Sequence, residues 1–167
     1  MKPFLTYILV FLGILASAQE NYIQINGSTN VNNFKCVNKT FKSTIGTHII
    51  AEKQLPSLAL KVEDFDCKNK IMTSDFQKTL LAEKYPYLNI KFLSIDKNDT
   101  VYNAKIEVKM IDKSKTYNVA FCLENGKLIG KRTVKFSDFN IKTPKKMGGM
   151  IVVKDDLNLE FALSANL

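Results

Sequence analysis

Residues 102–110 read Tyr-Asn-Ala-Lys-Ile-Glu-Val-Lys-Met, with an apolar or aromatic side chain at every even position and a polar one at every odd position. Successive side chains of a strand point to opposite faces, so this run is a strand with one dry and one wet face. Tyr117, Val119, Phe121 and Leu123 repeat the pattern. Asp112-Lys113-Ser114-Lys115 supplies a polar turn between the two runs, which together read as a β-hairpin. Asn125-Gly126 then offers the positive backbone angles of a tight turn into another strand, where Val134 and Phe136 share a face. In the last strand Leu157, Leu159, Phe161 and Leu163 face one way and Asn158 and Glu160 the other.

The first half repeats the theme less cleanly. Tyr22 to Ile25, Val31 to Val37, Phe41 to Ala51 and Leu58 to Phe65 read as strands, and Leu88, Ile90 and Phe92 begin another. The count is eight or nine. One segment changes period: Ser74 to Lys84 reads as a short helix, N-capped by Ser74 and ended by Tyr85-Pro86, with Phe76, Leu80 and Leu81 as its apolar stripe. Strands with one apolar face each, and one short helix to help cover them, must pack on one another. A barrel or a sandwich does this, and closure into an antiparallel barrel also removes sticky edges. The fold class is therefore all-β, an antiparallel barrel of about eight strands, with the short helix covering one end.

The N-terminus carries an address. Lys2 precedes an apolar run from Phe4 to Ala16, and Ala16-Ser17-Ala18 is a small-x-small cleavage pattern. The run is shorter than the roughly 20 residues a spanning helix needs. Residues 1–18 are expected to be a signal peptide, and the protein periplasmic or secreted. The mature chain, residues 19–167, is then 167 − 18 = 149 residues, enough for one domain with a real core. No later run approaches membrane length. The formal charge of +8 falls to +7 with Lys2 gone. Its lysines alternate with apolar residues, which reads as a solvated outer surface, and export argues against nucleic acid; a weak attraction to anionic membrane surfaces fits the same balance.

Cys36, Cys67 and Cys122 remain after cleavage, allowing one disulfide and one leftover thiol in an oxidising compartment. Cys36 with Cys67 is the preferred pair, since both sit at the ends of strands in the first half, and Cys122 beside Phe121 is expected to be a packed thiol. The sequence leaves all three pairings open. Asn26, Asn38 and Asn98 head Asn-x-Ser/Thr triplets, about what chance gives in an asparagine-rich chain.

Catalytic constellations are missing. His48 is the single histidine, and there is no Cys-x-x-Cys, so no metal site is expected. A cysteine nucleophile needs a base beside it, and nothing brings Cys122 to His48. Asp64 with Asp66 and Asp155 with Asp156 read as solvated strand ends. Gly148-Gly149 lacks any phosphate-loop context and reads as a flexible loop. No enzyme activity and no cofactor are expected.

Two stretches carry a resemblance. The first runs from Asp66-Cys67-Lys68-Asn69-Lys70-Ile71-Met72-Thr73-Ser74-Asp75-Phe76 to Lys84-Tyr85-Pro86-Tyr87-Leu88-Asn89-Ile90-Lys91-Phe92. The second runs from Val134-Lys135-Phe136-Ser137-Asp138-Phe139-Asn140-Ile141 to Val153-Lys154-Asp155-Asp156-Leu157-Asn158-Leu159. Both resemble the YceI-like family of exported, lipocalin-like, polyisoprenoid-binding proteins, and Gly27-Ser28-Thr29-Asn30-Val31 resembles its first strand region. The resemblance covers essentially the whole mature chain. Asn140 stands where that family's Asp-Phe-Gly-Ile form has glycine, and the loop Thr143 to Gly149 departs from the family's two prolines and glycine. Cys36 and Cys67 resemble a subset of the family.

The resemblance implies an elongated barrel whose lumen holds a long isoprenoid or quinone-like lipid. Such a ligand needs apolar walls more than hydrogen bonds, and each buried CH₂ gains about 0.8 kcal/mol before ordering costs. The candidate wall residues are Phe34, Ile106, Val108, Met110, Val119, Phe121, Phe136, Leu159 and Phe161, with Phe76 and Leu80 of the helix over one mouth. The competing reading is an interaction or structural barrel filled by its own side chains, with no lipid.

Overall fold

The computed structural model describes residues 20–46 and 54–166. The proposed signal peptide and His48 lie outside them. The described residues form ten strands: β1 (Tyr22–Thr29), β2 (Asn33–Asn38), β3 (Thr44–Gly46), β4 (Ser57–Lys61), β5 (Tyr87–Asn98), β6 (Val101–Met110), β7 (Lys113–Glu124), β8 (Lys127–Lys135), β9 (Lys145–Lys146) and β10 (Ile151–Asn166). The α-helix among the described residues, α1 (Lys70–Thr79), lies between β4 and β5. Eight strands form one curled antiparallel sheet in the order β2-β1-β10-β8-β7-β6-β5-β4, while β3 and β9 add short pairings to β10.

The alternation does what strand geometry requires. On β6, Tyr102, Ala104, Ile106, Val108 and Met110 are buried, and Asn103, Lys105 and Lys109 are exposed. β7 buries Tyr117, Val119 and Phe121, and β10 buries Leu157, Leu159, Phe161 and Leu163. At Asn125 and Gly126 the φ angles are 49° and 72°, the paired positive values that a two-residue hairpin turn needs. The β6–β7 turn is tighter than the polar run predicts. Met110 pairs with Lys113, leaving Ile111 and Asp112 as the turn, with Ile111 at φ 57°.

Three expectations are corrected. Cys122 is exposed, because even-numbered positions of β7 point outward; it is not a packed thiol. Leu123, expected inside, is 40% exposed where β7 runs past the covered interior. The helix begins at Lys70, not Ser74, because Asn69 caps it: its Oδ1 accepts from the amides of Ile71 and Met72 at 2.9 and 3.1 Å. It also ends early, at Thr79. Leu81 adopts φ 53°, a left-handed stop, and its side chain is exposed while Phe76 and Leu80 are buried.

The edge strands β2 and β4 share no ladder. Other links cross that seam. Cys36 and Cys67 form a disulfide with their Cα atoms 4.0 Å apart. Val37 and Asp66 exchange backbone hydrogen bonds of 2.9 Å each way. Asn38 donates its side-chain amide to the Lys61 carbonyl at 3.1 Å, and it is fully buried. A polar side chain buried at that cost is one whose hydrogen bonds are made.

Inside the curl, the rings of Phe92, Phe121 and Phe161 meet, with centroids 5.8 and 5.6 Å apart. They come from β5, β7 and β10, each one strand removed from the next, and Phe121 and Phe161 meet over Gly130 of β8, so the rings form a row along the inner face of the curl.

Candidate ligand cleft

Above that aromatic cluster, at the end covered by α1, lies a mostly apolar cleft of about 190 Å³. Three segments build it. The first is the β1–β2 turn. Thr29 organises this turn with its own side chain, which accepts from the amides of Val31 and Asn32 at 3.1 and 2.9 Å and donates to Asn32 Oδ1 at 2.8 Å. Phe34 follows on β2. It lies across from Gly27, where any Cβ would overlap its ring, so the glycine lets the ring lie flat across β1 and reach the cleft.

The second wall is α1. Met72, Asp75, Phe76 and Thr79 fall at helical spacing and turn one face to the cleft. The Phe76 ring packs at a tilt against Phe65 with centroids 5.4 Å apart, and Gln77 donates to the Glu63 carbonyl at 3.1 Å, which seats the helix on the chain that follows β4.

The third wall comes from the 3₁₀ turn after β8 and the start of β10: Phe136, Pro144, Ile151 and Val153. Two aspartates hold it. The amide and hydroxyl of Ser137 donate to Asp155 at 2.8 and 2.6 Å. Asp138 accepts from the Tyr117 hydroxyl at 2.7 Å and from Lys115. Burial alone would raise the Asp138 carboxyl, but the hydrogen bonds from Lys115 and Tyr117, the Lys115 charge and the Lys135 amide together hold it below its ordinary value. The Tyr117 phenol is pushed up, first by burial and then by its bond to Asp138 and that group's charge. Asn140 closes the turn at φ 57°. That left-handed angle explains why asparagine can replace glycine at this point.

One ion pair crosses the mouth: Lys146 Nζ lies 2.7 Å from Asp75 Oδ1. A wider groove of about 510 Å³ lies on another side of α1, lined by Glu63, Gln77, Lys78 and Glu83 among others. Its charged, open walls suit no apolar ligand. No group of three or more histidine, cysteine or acidic side chains suited to a metal occurs among the described residues, and no helix there is long and apolar enough to cross a membrane.

The candidate wall residues divide into three places. Phe34, Phe76 and Phe136 line the cleft. Leu80 and Met110 face each other across an apolar gap too narrow for a water molecule, beneath Tyr85 and Tyr87. Ile106, Val108, Val119, Phe121, Leu159 and Phe161 are core residues, none more than 2% exposed. Met72, Thr79, Ile151 and Val153 also line the cleft without having been marked in the sequence. Starting the helix at Asn69 would have exposed the first two, since Met72, Phe76 and Thr79 then share one stripe.

A YceI-like domain model matches residues 19–165. Among solved structures, BcnA of Burkholderia cenocepacia superposes with a TM-score of 0.57 at 14% identity, covering 87% of this chain and 95% of that one. A YceI protein of Campylobacter jejuni superposes at 0.53 with 18% identity, covering 68% of this chain and 72% of that one. No curated protein matches by sequence.

Proposed function

The chain belongs to the YceI-like family, and from that premise we propose that it is an exported carrier of an apolar chain lipid, isoprenoid or quinone-like, held end-first in the cleft beneath α1. The observation that carries this reading is the cleft itself: a hole of about 190 Å³ walled by Phe34, Met72, Phe76, Phe136, Ile151 and Val153, with Thr29, Asn32, Asp75, Thr79 and Lys146 as its polar lining. Apolar walls around a cavity are what a hydrocarbon end selects, because its gain is area removed from water rather than directed bonds. The volume falls below the roughly 300–1,000 Å³ of ordinary ligand sites. The cleft as formed therefore accepts a chain terminus, and a longer segment enters only as Phe34 and Met72, both partly exposed, move aside. The leader-like residues 1–18 support export. No catalytic step belongs to this reading.

The second reading, a barrel filled by its own side chains, draws on the buried row of Phe92, Phe121 and Phe161 on the inner face of the curl. Organic extraction of the protein purified from its exporting host, followed by mass spectrometry, separates the two. The carrier reading expects a polyprenyl or quinone-like species in amounts comparable to the protein, lost in Met72→Asp while the circular dichroism spectrum is kept. A lipid-free extract from a protein that also fails to take up added polyprenol or quinone leaves only the filled barrel.

A further inference from the structure

The four most exposed large apolar side chains among the described residues are Ile71, Met147, Met150 and Val31, at 74, 66, 66 and 64%. The remaining exposed ones are all below half. These four do not scatter over the barrel. Val31 sits in the β1–β2 turn, Ile71 in the first turn of α1, and Met147 and Met150 in the loop leading into β10, the three segments that wall the cleft.

Side-chain bonds fasten these segments together. Asn30 donates to the Met150 carbonyl at 2.8 Å and accepts from the Val152 amide at 2.9 Å, which staples Val31 beside the methionine loop. Lys146 binds Asp75, one helical turn from Ile71. Gly148 and Gly149 have φ of 65° and 95° with no atom within 4 Å of a Cβ position, so the loop between the methionines stands clear of the body.

Charge follows the same outline. Segments 30–32, 68–71 and 142–150 contain Lys68, Lys70, Lys142, Lys145 and Lys146, five lysines, and no aspartate or glutamate. All five are exposed. Asp66 and Asp75, which adjoin these segments, are engaged by the Lys68 amide and the Lys146 ammonium.

We propose that this rim is a docking surface for an anionic phospholipid bilayer, with Val31, Ile71, Met147 and Met150 entering the headgroup boundary and the lysines lying against lipid phosphates. Single apolar side chains held out on turns, ringed by cations, meet both halves of such an interface. A docking protein face would present a flat apolar patch, and these side chains stand on separate projections instead. The inference rests on the carrier reading for its purpose: docking by the rim places the mouth of the cleft against the lipid from which cargo is drawn. Its test reads adsorption rather than loading.

The experiment is co-sedimentation of the mature protein with phosphatidylcholine vesicles, with and without phosphatidylglycerol, over a salt series. The wild type is expected to bind the anionic vesicles and to be released by salt. Lys142→Glu/Lys145→Glu and Met147→Asp/Met150→Asp should each weaken binding at least about tenfold. The same charge change at Lys97 and Lys105, away from the rim, should do much less. Equal loss from both sets of lysines, or no binding by the wild type, overturns the proposal. So does rim-dependent self-association that Met147→Asp/Met150→Asp dissolves while vesicle binding stays absent. Met72→Asp separates the two readings: it should empty the cleft and leave adsorption intact.

Discussion

Tyr117 is buried on the inner face of β7, yet its hydroxyl reaches Asp138 in the turn that supports Phe136, and the Arg132 guanidinium lies 5.4 Å above its ring. Tyr117→Phe removes a hydrogen bond to a charged acceptor and should cost about 1–2 kcal/mol in urea unfolding. Its raised phenol predicts more. The native state keeps the proton, so this contribution is whole below about pH 10 and erodes above it as the unfolded phenol ionises. The alkaline limb of the stability curve should flatten in the phenylalanine variant. Asp138 works the other way. Its lowered carboxyl contributes stability above about pH 4, which is lost as pH falls through the native value. Asp138→Asn should show a shallower loss than wild type in urea titrations from about pH 5 to about pH 2. Gly27 gives a third case. A methyl there displaces only the far end of the Phe34 ring, so Gly27→Ala should cost under about 1 kcal/mol while lowering the lipid recovered per protein on extraction.

The strands differ in how plainly the sequence announces them, and burial decides which. β6, β7 and β10 each have one face under the core and one in water, so their alternation survives intact in the residues. β2 and β4 are edges. They are short, and β4 gives way at Val62 to a single 3₁₀ turn, so the run Leu58 to Phe65 reads as one strand where the chain makes two elements. The helix was found by Phe76 and Leu80 but entered late, since Asn69 and Ser74 are both capping residues and only the fold chooses between them. Asn69→Ala should cost about 1 kcal/mol in thermal unfolding, whereas Ser74→Ala should cost little. The strand glycine carries a complementary lesson. Gly130 sits opposite Phe121, and a Cβ there would lie 2.5 Å from a ring already packed against Phe92 and Phe161. That ring cannot swing into solvent. Gly130→Ala should therefore destabilise by about 1–3 kcal/mol. The cleft was harder to foresee than the barrel because apolar residues that line a hole and those that fill a core obey the same pattern.

Taken whole, the molecule is a sheet curled until its edges nearly meet and then fastened. The Cys36–Cys67 bond closes a loop of sequence separation 31 across the seam. Its replacement by Cys36→Ala/Cys67→Ala should cost about 2–5 kcal/mol in guanidinium unfolding, with a matching drop for wild type under reductant. Away from the cleft, the buried rings of Phe92, Phe121 and Phe161 fill the interior. An interior filled there leaves the cleft beneath α1 as the way in for the proposed ligand. On the carrier reading, cargo admitted tail-first would back out head-first, so the end presented to a recipient would be the same end that was last to leave the donor, and traffic would run as exchange at one threshold rather than as passage from one side to the other.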